Sequence, residues 1–321
     1  MNRYTMMLVS ALALAIATAS TPRPARPTIA DLPKKTAITV GGLPDFMVTG
    51  GGALWVANLS LKEVERVDVS TNRVVARIAM PGVPAFLTYG FDSVWVGITV
   101  NYKGASLVRL DAKTNRIVAK LAVRPNDPEG SVTASADSIW MVTADGFLSR
   151  IDPATNSVRQ KIRVAAGSAV PAYGSGVVWV TSSPANSLTA VDAKSGAILA
   201  KIPIPNKPHF IATGGGAAWV VAQGDGSVTK IDAEPKKIVA VVRAGISGSG
   251  GNVAYADGNV WITLIGTPLT KIDAAKNALA GQWFGPGGDG LTFGYGSLWL
   301  TDQDRHMVWR LDPERIRLKK S

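Results

Sequence analysis

A unit of about 40 residues repeats seven times along the chain and constrains its fold more than any other feature of the sequence. Each unit has an apolar segment with a tryptophan, as in residues 51–58 (GGALWVAN), and then a segment that ends in aspartate, as in 63–68 (EVERVD). Successive tryptophans are 40, 45, 39, 40, 42 and 38 residues apart. The tryptophans are Trp55, Trp95, Trp140, Trp179, Trp219, Trp261 and Trp299, and the aspartates are Asp68, Asp111, Asp152, Asp192, Asp232, Asp273 and Asp312. Two markers with one period predict the blades of a propeller.

Each unit divides into four short segments with strand character, separated by turn residues. The tryptophan segments are apolar at both alternations, so neighbouring blades are expected to cover both of their faces and bury the rings. Each aspartate is expected to accept backbone N–H bonds across a tight turn. The sequence therefore predicts an all-β fold, a seven-bladed β-propeller with four-stranded antiparallel blades.

Residues 36–42 resemble the end of a repeat, whereas the last repeat stops soon after Asp312. We therefore expect the N-terminal strand to supply the outer strand of the last blade, which closes the ring and removes two free sheet edges. The predicted domain organisation is a signal peptide at 1–19, a proline-rich linker at 20–35 and the propeller at 36–321.

The first 19 residues combine Arg3 with an apolar run that ends in Ala17-Thr18-Ala19. This pattern predicts a secretory signal peptide cleaved after Ala19, and hence a secreted or periplasmic protein. The run is too short to span a bilayer comfortably, and we expect no transmembrane segment. The chain has no cysteine, which excludes disulfides, thiolate metal sites and a cysteine nucleophile. We expect a monomer.

The chain has a net charge of +11, and removal of the predicted signal peptide leaves +10. Such a charge favours an anionic partner, such as an envelope ligand, or else only keeps the protein in solution. A base precedes six of the seven repeat aspartates by two residues, and Ala190 stands at that position in the fourth unit. Much of the positive charge is therefore expected to form a belt spread evenly around the ring.

Propeller sites usually form at the central channel, from the loops that enter the innermost strands and the loops that leave the second strands. Departures from the repeat in these loops mark the candidate site. The candidate ligand-binding residues are Tyr102, Lys103, Arg124, Asp127, His209, Gln223, Asp225, Asp304 and Arg305. The candidate catalytic residues are His209, Asp302 and His306, of which Asp302 and His306 are also candidate metal ligands.

The repeat, with its Trp-Val core followed by a segment such as 109–115 (RLDAKTN), resembles that of the YVTN-type β-propeller proteins and of their relatives, the virginiamycin B (streptogramin) lyases. YVTN-type proteins are typically exported, and some relatives bind partners, including nucleic acid. The lyases open a lactone by elimination, with histidine and glutamate residues around a magnesium ion. The resemblance implies that His209, in Pro208-His209-Phe210-Ile211, and Asp302, in Trp299-Leu300-Thr301-Asp302, would stand at the lyase positions.

Three hypotheses for the function follow. The first is an exported binding or scaffold protein without a cofactor, which recognises an unknown protein or an anionic envelope ligand at the loop-rich end of the channel. The second is a metal-assisted lyase that uses His209, Asp302 and His306, with Mg²⁺ as the cofactor that the resemblance implies. The third is binding of single-stranded nucleic acid by Tyr102, Lys103 and Arg124, since an aromatic side chain beside bases suits that ligand.

Overall fold

The computed structural model describes residues 26–130, 132–245, 248, 250–264, 267–285 and 287–317. These residues form seven four-stranded antiparallel sheets arranged in a ring, which confirms the predicted seven-bladed β-propeller. The predicted signal peptide lies outside the described residues. Within the described part of the chain, no helix is long and apolar enough to cross a membrane.

The first strand in the chain is β1 (Lys34–Thr39). The innermost strands of blades 1 to 7 are β2 (Pro44–Gly50), β6 (Val83–Gly90), β10 (Val132–Ala134), β14 (Ser168–Gly174), β18 (Pro208–Gly214), β22 (Asn252–Ala256) and β26 (Leu291–Gly294). The second strands, which carry the tryptophans, are β3 (Ala53–Asn58), β7 (Ser93–Val100), β11 (Ile139–Thr143), β15 (Val177–Ser182), β19 (Ala217–Ala222), β23 (Asn259–Leu264) and β27 (Ser297–Asp302).

The third strands run to the repeat aspartate or the residue before it. They are β4 (Glu63–Asp68), β8 (Lys103–Asp111), β12 (Phe147–Asp152), β16 (Ser187–Asp192), β20 (Ser227–Asp232), β24 (Thr267–Asp273) and β28 (Met307–Leu311). The outer strands of blades 1 to 6 are β5 (Arg73–Ala79), β9 (Arg116–Leu121), β13 (Ser157–Arg163), β17 (Ile198–Pro203), β21 (Lys237–Arg243) and β25 (Ala278–Trp283).

Blade 7 takes its outer strand from the start of the chain. Strand β1 pairs antiparallel with β28, with Ile38 opposite Val308 and Ala37 opposite Trp309. This pairing confirms the predicted closure of the ring.

The repeat tryptophans and aspartates have the structural roles that the sequence predicts. All seven tryptophans are buried between blades. In blade 1, Asp68 Oδ1 accepts the backbone N–H groups of Ser70 at 3.0 Å and Thr71 at 2.8 Å. Asn72 ends this turn in the left-handed region, with a φ of 56°. The Ser70 hydroxyl, which donates to Oδ1 at 2.6 Å, and the backbone N–H of Thr71 hold the pKa of the Asp68 carboxyl low, at about 2.

The sequence predicted that the bases preceding the aspartates form a belt of positive charge around the ring. In the structure they do not form an exposed belt, because each is at least partly buried between two blades. Each charged group lies over the tryptophan ring of its own blade, 4.8 to 5.4 Å from the ring centre. The pairs are Arg66 with Trp55, Arg109 with Trp95, Arg150 with Trp140, Lys230 with Trp219, Lys271 with Trp261 and Arg310 with Trp299.

Each of these bases also donates a hydrogen bond to a residue that follows the third strand of the next blade. The acceptors, in the same order, are Asn115, Asn156, Lys194, Ala274, Ile316 and, across the closure of the ring, Asn72. The bases therefore link neighbouring blades. Ala190 cannot make such a link from blade 4 to blade 5.

The described part of the predicted linker packs against the propeller. Ile29 and Leu32 are 2% and 4% exposed and lie in a cluster with Trp283 and Trp309, the two tryptophans outside the repeat. The backbone N–H of Ile29 donates to the Phe284 carbonyl at 2.8 Å. The segment before β1 is therefore continuous with the core of blades 6 and 7.

Candidate binding site at the channel mouth

All the candidate site residues lie at one end of the propeller, where the innermost strands begin and the second strands end. The turns that carry the repeat aspartates lie at the other end, because successive strands of a blade are antiparallel. The structure distributes the candidate residues at the loop end over separate groups.

The first group lies on the tip of the β7–β8 hairpin and the loop that enters blade 3. Tyr102 is 94% exposed, and Lys103 beside it is also exposed. Arg124 Nε donates to the Gly104 carbonyl at 3.2 Å, so Tyr102, Lys103 and Arg124 share one surface. An open groove of about 320 Å³ runs beside Arg124. Asp145 also lines this groove, and its Oδ2 forms an ion pair with Lys161 Nζ at 2.7 Å.

The second group lies on the β27–β28 hairpin. Asp302 is buried, and its Oδ2 accepts from the Arg305 guanidinium at 2.9 Å. His306 is exposed, and its Nδ1 is in hydrogen-bond contact with the Gly42 carbonyl, next to blade 1. Asp304 is exposed on the same hairpin.

Three of the remaining candidates stabilise loops on this end. Asp127 Oδ1 accepts the Glu129 N–H at 2.7 Å. Asp225 Oδ2 accepts from Asn206 at 2.7 Å, in the hairpin that follows β19. The backbone N–H of Gln223 donates to the Lys207 carbonyl at 3.0 Å, while its side-chain Nε2 is buried and has no hydrogen-bond partner among the described residues.

His209 belongs to a cluster at the mouth of the channel, together with three carboxyl groups that the sequence did not mark as site residues. Asp45 comes from β2, Glu129 from the loop that enters blade 3, and Asp289 from the loop that enters blade 7. His209 is 7% exposed, and its Nε2 lies 3.5 Å from Glu129 Oε2 without a hydrogen bond. We call these four residues the mouth cluster.

The fold brings the mouth cluster together through bulges and a close approach. The pairing of β2 with β3 shifts register between Pro44 and Met47, and that of β18 with β19 shifts between Pro208 and Ile211. Such a bulge reorients side chains, here those at Asp45 and His209.

A glycine then brings the loop of blade 7 close to the strand of blade 1. A Cβ at Gly290 would clash with the Asp45 carbonyl oxygen, so only glycine permits this approach. The preceding residue, Asp289, is thereby held close to Asp45.

The carboxyl groups of the mouth cluster repel one another in a poorly solvated place. Burial, together with the charges of Asp289 and Glu129, raises the pKa of Asp45 well above its usual value. Burial and Glu129 also raise the pKa of Asp289, although the Gly251 N–H and Gln303 donate to its carboxylate. Asp45 is 9% exposed, and among the described residues its carboxylate has no hydrogen-bond donor.

A small cavity of about 140 Å³ lies in the channel beside the mouth cluster. Glu129 and Asn252 line it together with Phe46, Phe86 and Phe210. The residues that follow Asp45 and His209 in their bulges, Phe46 and Phe210, thus form part of its wall. The cavity is smaller than the roughly 300 to 1,000 Å³ of pockets for drug-sized ligands, so it suits a small group.

A signal for Asp45 was present in the sequence. The inner strands of blades 1, 2 and 5 begin with the sequences PDF, PAF and PHF. Blades 1 and 5 therefore have Asp45 and His209 at the position where blade 2 has Ala85. Polar residues at the second position of an inner strand depart from the repeat where it faces the channel. Glu129 and Asp289 lie in loops of irregular length, and only the tertiary structure shows that they meet Asp45.

The fold and this site define the protein as a seven-bladed β-propeller with an acidic channel mouth. Compared with the models of known protein families the chain matches none, and no curated protein matches it. Among the described residues, no group of three His, Cys, Asp or Glu side chains is arranged to hold a metal ion. The residues present therefore do not fit the magnesium site that the lyase resemblance implies.

Proposed function

We propose that the protein is an exported binding protein that holds its ligand at the mouth cluster and in the cavity beside it. The observation that carries this proposal is the buried His209 Nε2, which has no hydrogen bond among the described residues and lies at the same mouth as the buried carboxyl of Asp45. Leaving such a group unpaired costs stability, and a site that binds a ligand is a common reason for that cost. Export is proposed from the sequence of residues 1–19 and from the YVTN resemblance.

Filling the cavity tests the proposal. Val170 lines the cavity, so Val170→Trp is expected to block it, whereas Val75→Trp on the exposed face of β5 is the matched control. A small-molecule library of both charge signs would be screened by thermal shift and confirmed by calorimetry. Ligands should bind the protein and the control but not Val170→Trp. Ligands that bind Val170→Trp as tightly as the unsubstituted protein would contradict the proposed site.

Export has a separate test. The full chain would be produced in a bacterium, and the envelope fraction would be analysed by mass spectrometry. We expect a mature protein that begins at Ser20. A protein that stays in the cytoplasm with Met1 intact would contradict export without affecting the proposed binding site.

A lyase-like activity is the second candidate, and the approach of His209 Nε2 to Glu129 Oε2 at 3.5 Å favours it. An imidazole beside a carboxylate can move a proton from a bound substrate. Asp302 and His306 would have no part in this pair, because their contacts are with Arg305 and Gly42. Turnover of lactones that is lost in His209→Gln would support this candidate.

The anionic ligand and the single-stranded nucleic acid remain proposals for a different surface. Tyr102 is almost fully exposed beside Lys103, and Arg124 contacts the same hairpin. This surface has the aromatic side chain and the bases that stacking and phosphate contacts require. Binding of an oligonucleotide that weakens steeply with salt, and that Tyr102→Ala reduces, would support it.

A further inference from the structure

We propose that the group bound at the mouth cluster is an organic cation, an alkylguanidinium or alkylammonium, whose charged head meets the carboxylates while its stem enters the cavity. This inference rests on the proposed function, since it names the chemistry of the ligand for the same site. It runs against the net charge of the whole chain, which favours anionic partners.

Asp45 and Asp289 lack a basic partner that would hold their carboxyls in the ionised form. Asp45, Glu129 and Asp289 come from three different blades and interact electrostatically. In the described residues, no lysine or arginine forms an ion pair with Asp45 or Asp289, and none contributes to the raised pKa of either carboxyl. A ligand with a positive group would supply the missing charge, whereas an anion would add to the repulsion.

The histidine of the mouth cluster favours a cationic head as well. His209 Nε2 is buried at the same mouth and has no hydrogen-bond partner among the described residues. In its neutral form an imidazole can accept a hydrogen bond at this nitrogen, and an ammonium or guanidinium has donors but no acceptors. A cationic head therefore matches both the carboxylates and the free nitrogen.

The spacing of the acidic groups favours an organic cation over a metal ion. The described residues include no group of three carboxylates or histidines close enough to hold a metal ion. An organic head spans a wider gap, because each of its N–H donors needs a distance of about 2.9 Å to an acceptor, against about 2.0 to 2.5 Å for a metal ligand. Guanidinium in particular presents five donors in one plane.

The cavity provides for the rest of the ligand. Phe46, which is only partly buried, lines it, and an aromatic side chain attracts organic cations as well as alkyl stems. Its volume of about 140 Å³ admits one short side chain or a small amine. The same chemistry can come from a free small molecule or from an arginine or lysine side chain of a peptide.

The experiment titrates the mature protein calorimetrically with n-butylguanidine, with n-butylamine and with a short amidated peptide that ends in arginine. n-Butylurea serves as the neutral probe and butyrate as the anionic probe. We expect at least one cation to bind with a dissociation constant below about 1 mM, and the neutral and anionic probes not to bind at that concentration. Binding of the free amines points to a small molecule, and binding of the peptide alone points to a partner's side chain.

Two variants test the mouth cluster directly. Asp45→Asn keeps the shape of the side chain and should weaken cation binding at least tenfold, as should Asp289→Asn. Asp257→Asn, at an exposed carboxyl in the turn between β22 and β23 at the other end of the propeller, is the matched control and should leave the affinity unchanged. Thermal unfolding of each variant shows whether it is folded.

The pH dependence gives a further readout. Burial raises the pKa of Asp45 and of Asp289, so these carboxyls lose their protons as the pH rises above the ordinary range of a carboxyl, and the affinity for n-butylguanidine should increase from pH 5 to pH 8. The guanidinium stays charged throughout this range. The increase should be smaller in Asp45→Asn.

The outcomes separate this inference from the proposed function. No binding of any cation at millimolar concentration, or equal binding to Asp45→Asn, would overturn the organic cation. A neutral or anionic ligand that binds the protein but not Val170→Trp would overturn the cation and leave the proposed site intact. A cation that binds Val170→Trp with unchanged affinity would overturn both.

Discussion

Six lysine or arginine side chains combine two roles between the blades. Arg109, for example, lies over Trp95 and donates from Nε to the Ser93 hydroxyl at 2.9 Å. Its NH1 also donates to Asn156 Oδ1, in the turn of blade 3, at 3.1 Å. The bases of the repeat thus cover tryptophan rings and donate hydrogen bonds to the turns of the next blade. Because they are engaged in these contacts, they are largely unavailable for binding an anionic partner.

Replacement of one of these bases should therefore destabilise the protein. Arg109→Ala removes the contact with the ring and several hydrogen bonds, and it should lower the free energy of unfolding by about 2 kcal/mol. Arg116→Ala, at an exposed base on β9, is the control and should change it by less than about 0.5 kcal/mol. Chemical denaturation measures both values, and equal effects would show that the link between blades adds no stability.

Burial determines the protonation of Glu65. It is fully buried on β4, and burial raises its pKa to about 7 although Arg77 Nε lies 3.2 Å from Oε1. The folded protein thus holds a proton on Glu65 at pH values where the unfolded chain has lost it. The free energy of unfolding should consequently fall as the pH rises from about 4.5, the ordinary value, to about 7.

Glu65→Gln should remove this dependence. Relative to the unsubstituted protein, we expect the variant to gain roughly 2 kcal/mol in unfolding free energy between pH 4.5 and pH 7.5. Glu314→Gln, at an exposed carboxyl, should show no such gain. Denaturation at a series of pH values measures the difference, and parallel curves for Glu65→Gln and the unsubstituted protein would contradict the assignment.

At the scale of elements, the N-terminal segment does more than add a strand. Strand β1 completes blade 7, and the residues before it cover Trp283 and Trp309. Lys34 Nζ lies 4.1 Å from the centre of the Trp309 ring. The two tryptophans that do not fit the repeat are thus explained by a covering segment that the other blades lack.

Truncation of a side chain in the segment before β1 should destabilise the protein. Ile29→Ala leaves a gap against the tryptophans and should lower the free energy of unfolding by about 2 to 3 kcal/mol. Ile117→Ala, on the outer strand β9 where the side chain is 41% exposed, makes the same chemical change and should cost under about 1 kcal/mol. If both cost the same in denaturation experiments, the segment before β1 does not contribute to the core.

At the scale of the whole molecule, closure depends on contacts between the two ends of the described chain. Pairing of β1 with β28 and the donation from Arg310 NH1 to Asn72 Oδ1 at 2.8 Å both cross the seam. Because every blade packs against two neighbours, loss of the closing strand exposes an edge and removes cover from a buried face.

Deletion of residues 1–39 should therefore abolish cooperative unfolding or cause aggregation, whereas deletion of 1–25 should keep the thermal transition. A synthetic peptide of residues 26–40 added in trans should restore the transition to the shorter chain. Circular dichroism and light scattering follow both effects. A chain that lacks 1–39 and still unfolds in one transition at an unchanged temperature would contradict this role of β1.

The sequence alone determined the architecture, because propeller blades repeat the same local chemistry. Trp55 and its six counterparts, with turns such as Asp68 to Asn72, set the number of blades, their strands and the closure by residues 36–42. The burial of the bases was not predicted, since their contacts are with a neighbouring blade.

Only the tertiary structure decided the site. Asp45, Glu129 and Asp289 are far apart in the chain and belong to different blades, and no local pattern states that they share one channel mouth. In the structure His209 lies beside Glu129, whereas Asp302 contacts Arg305 and His306 contacts Gly42. The lyase hypothesis had grouped these three candidates in one site. Long-range packing of the ring, through bulges and the close approach at Gly290, decides which loop residues meet.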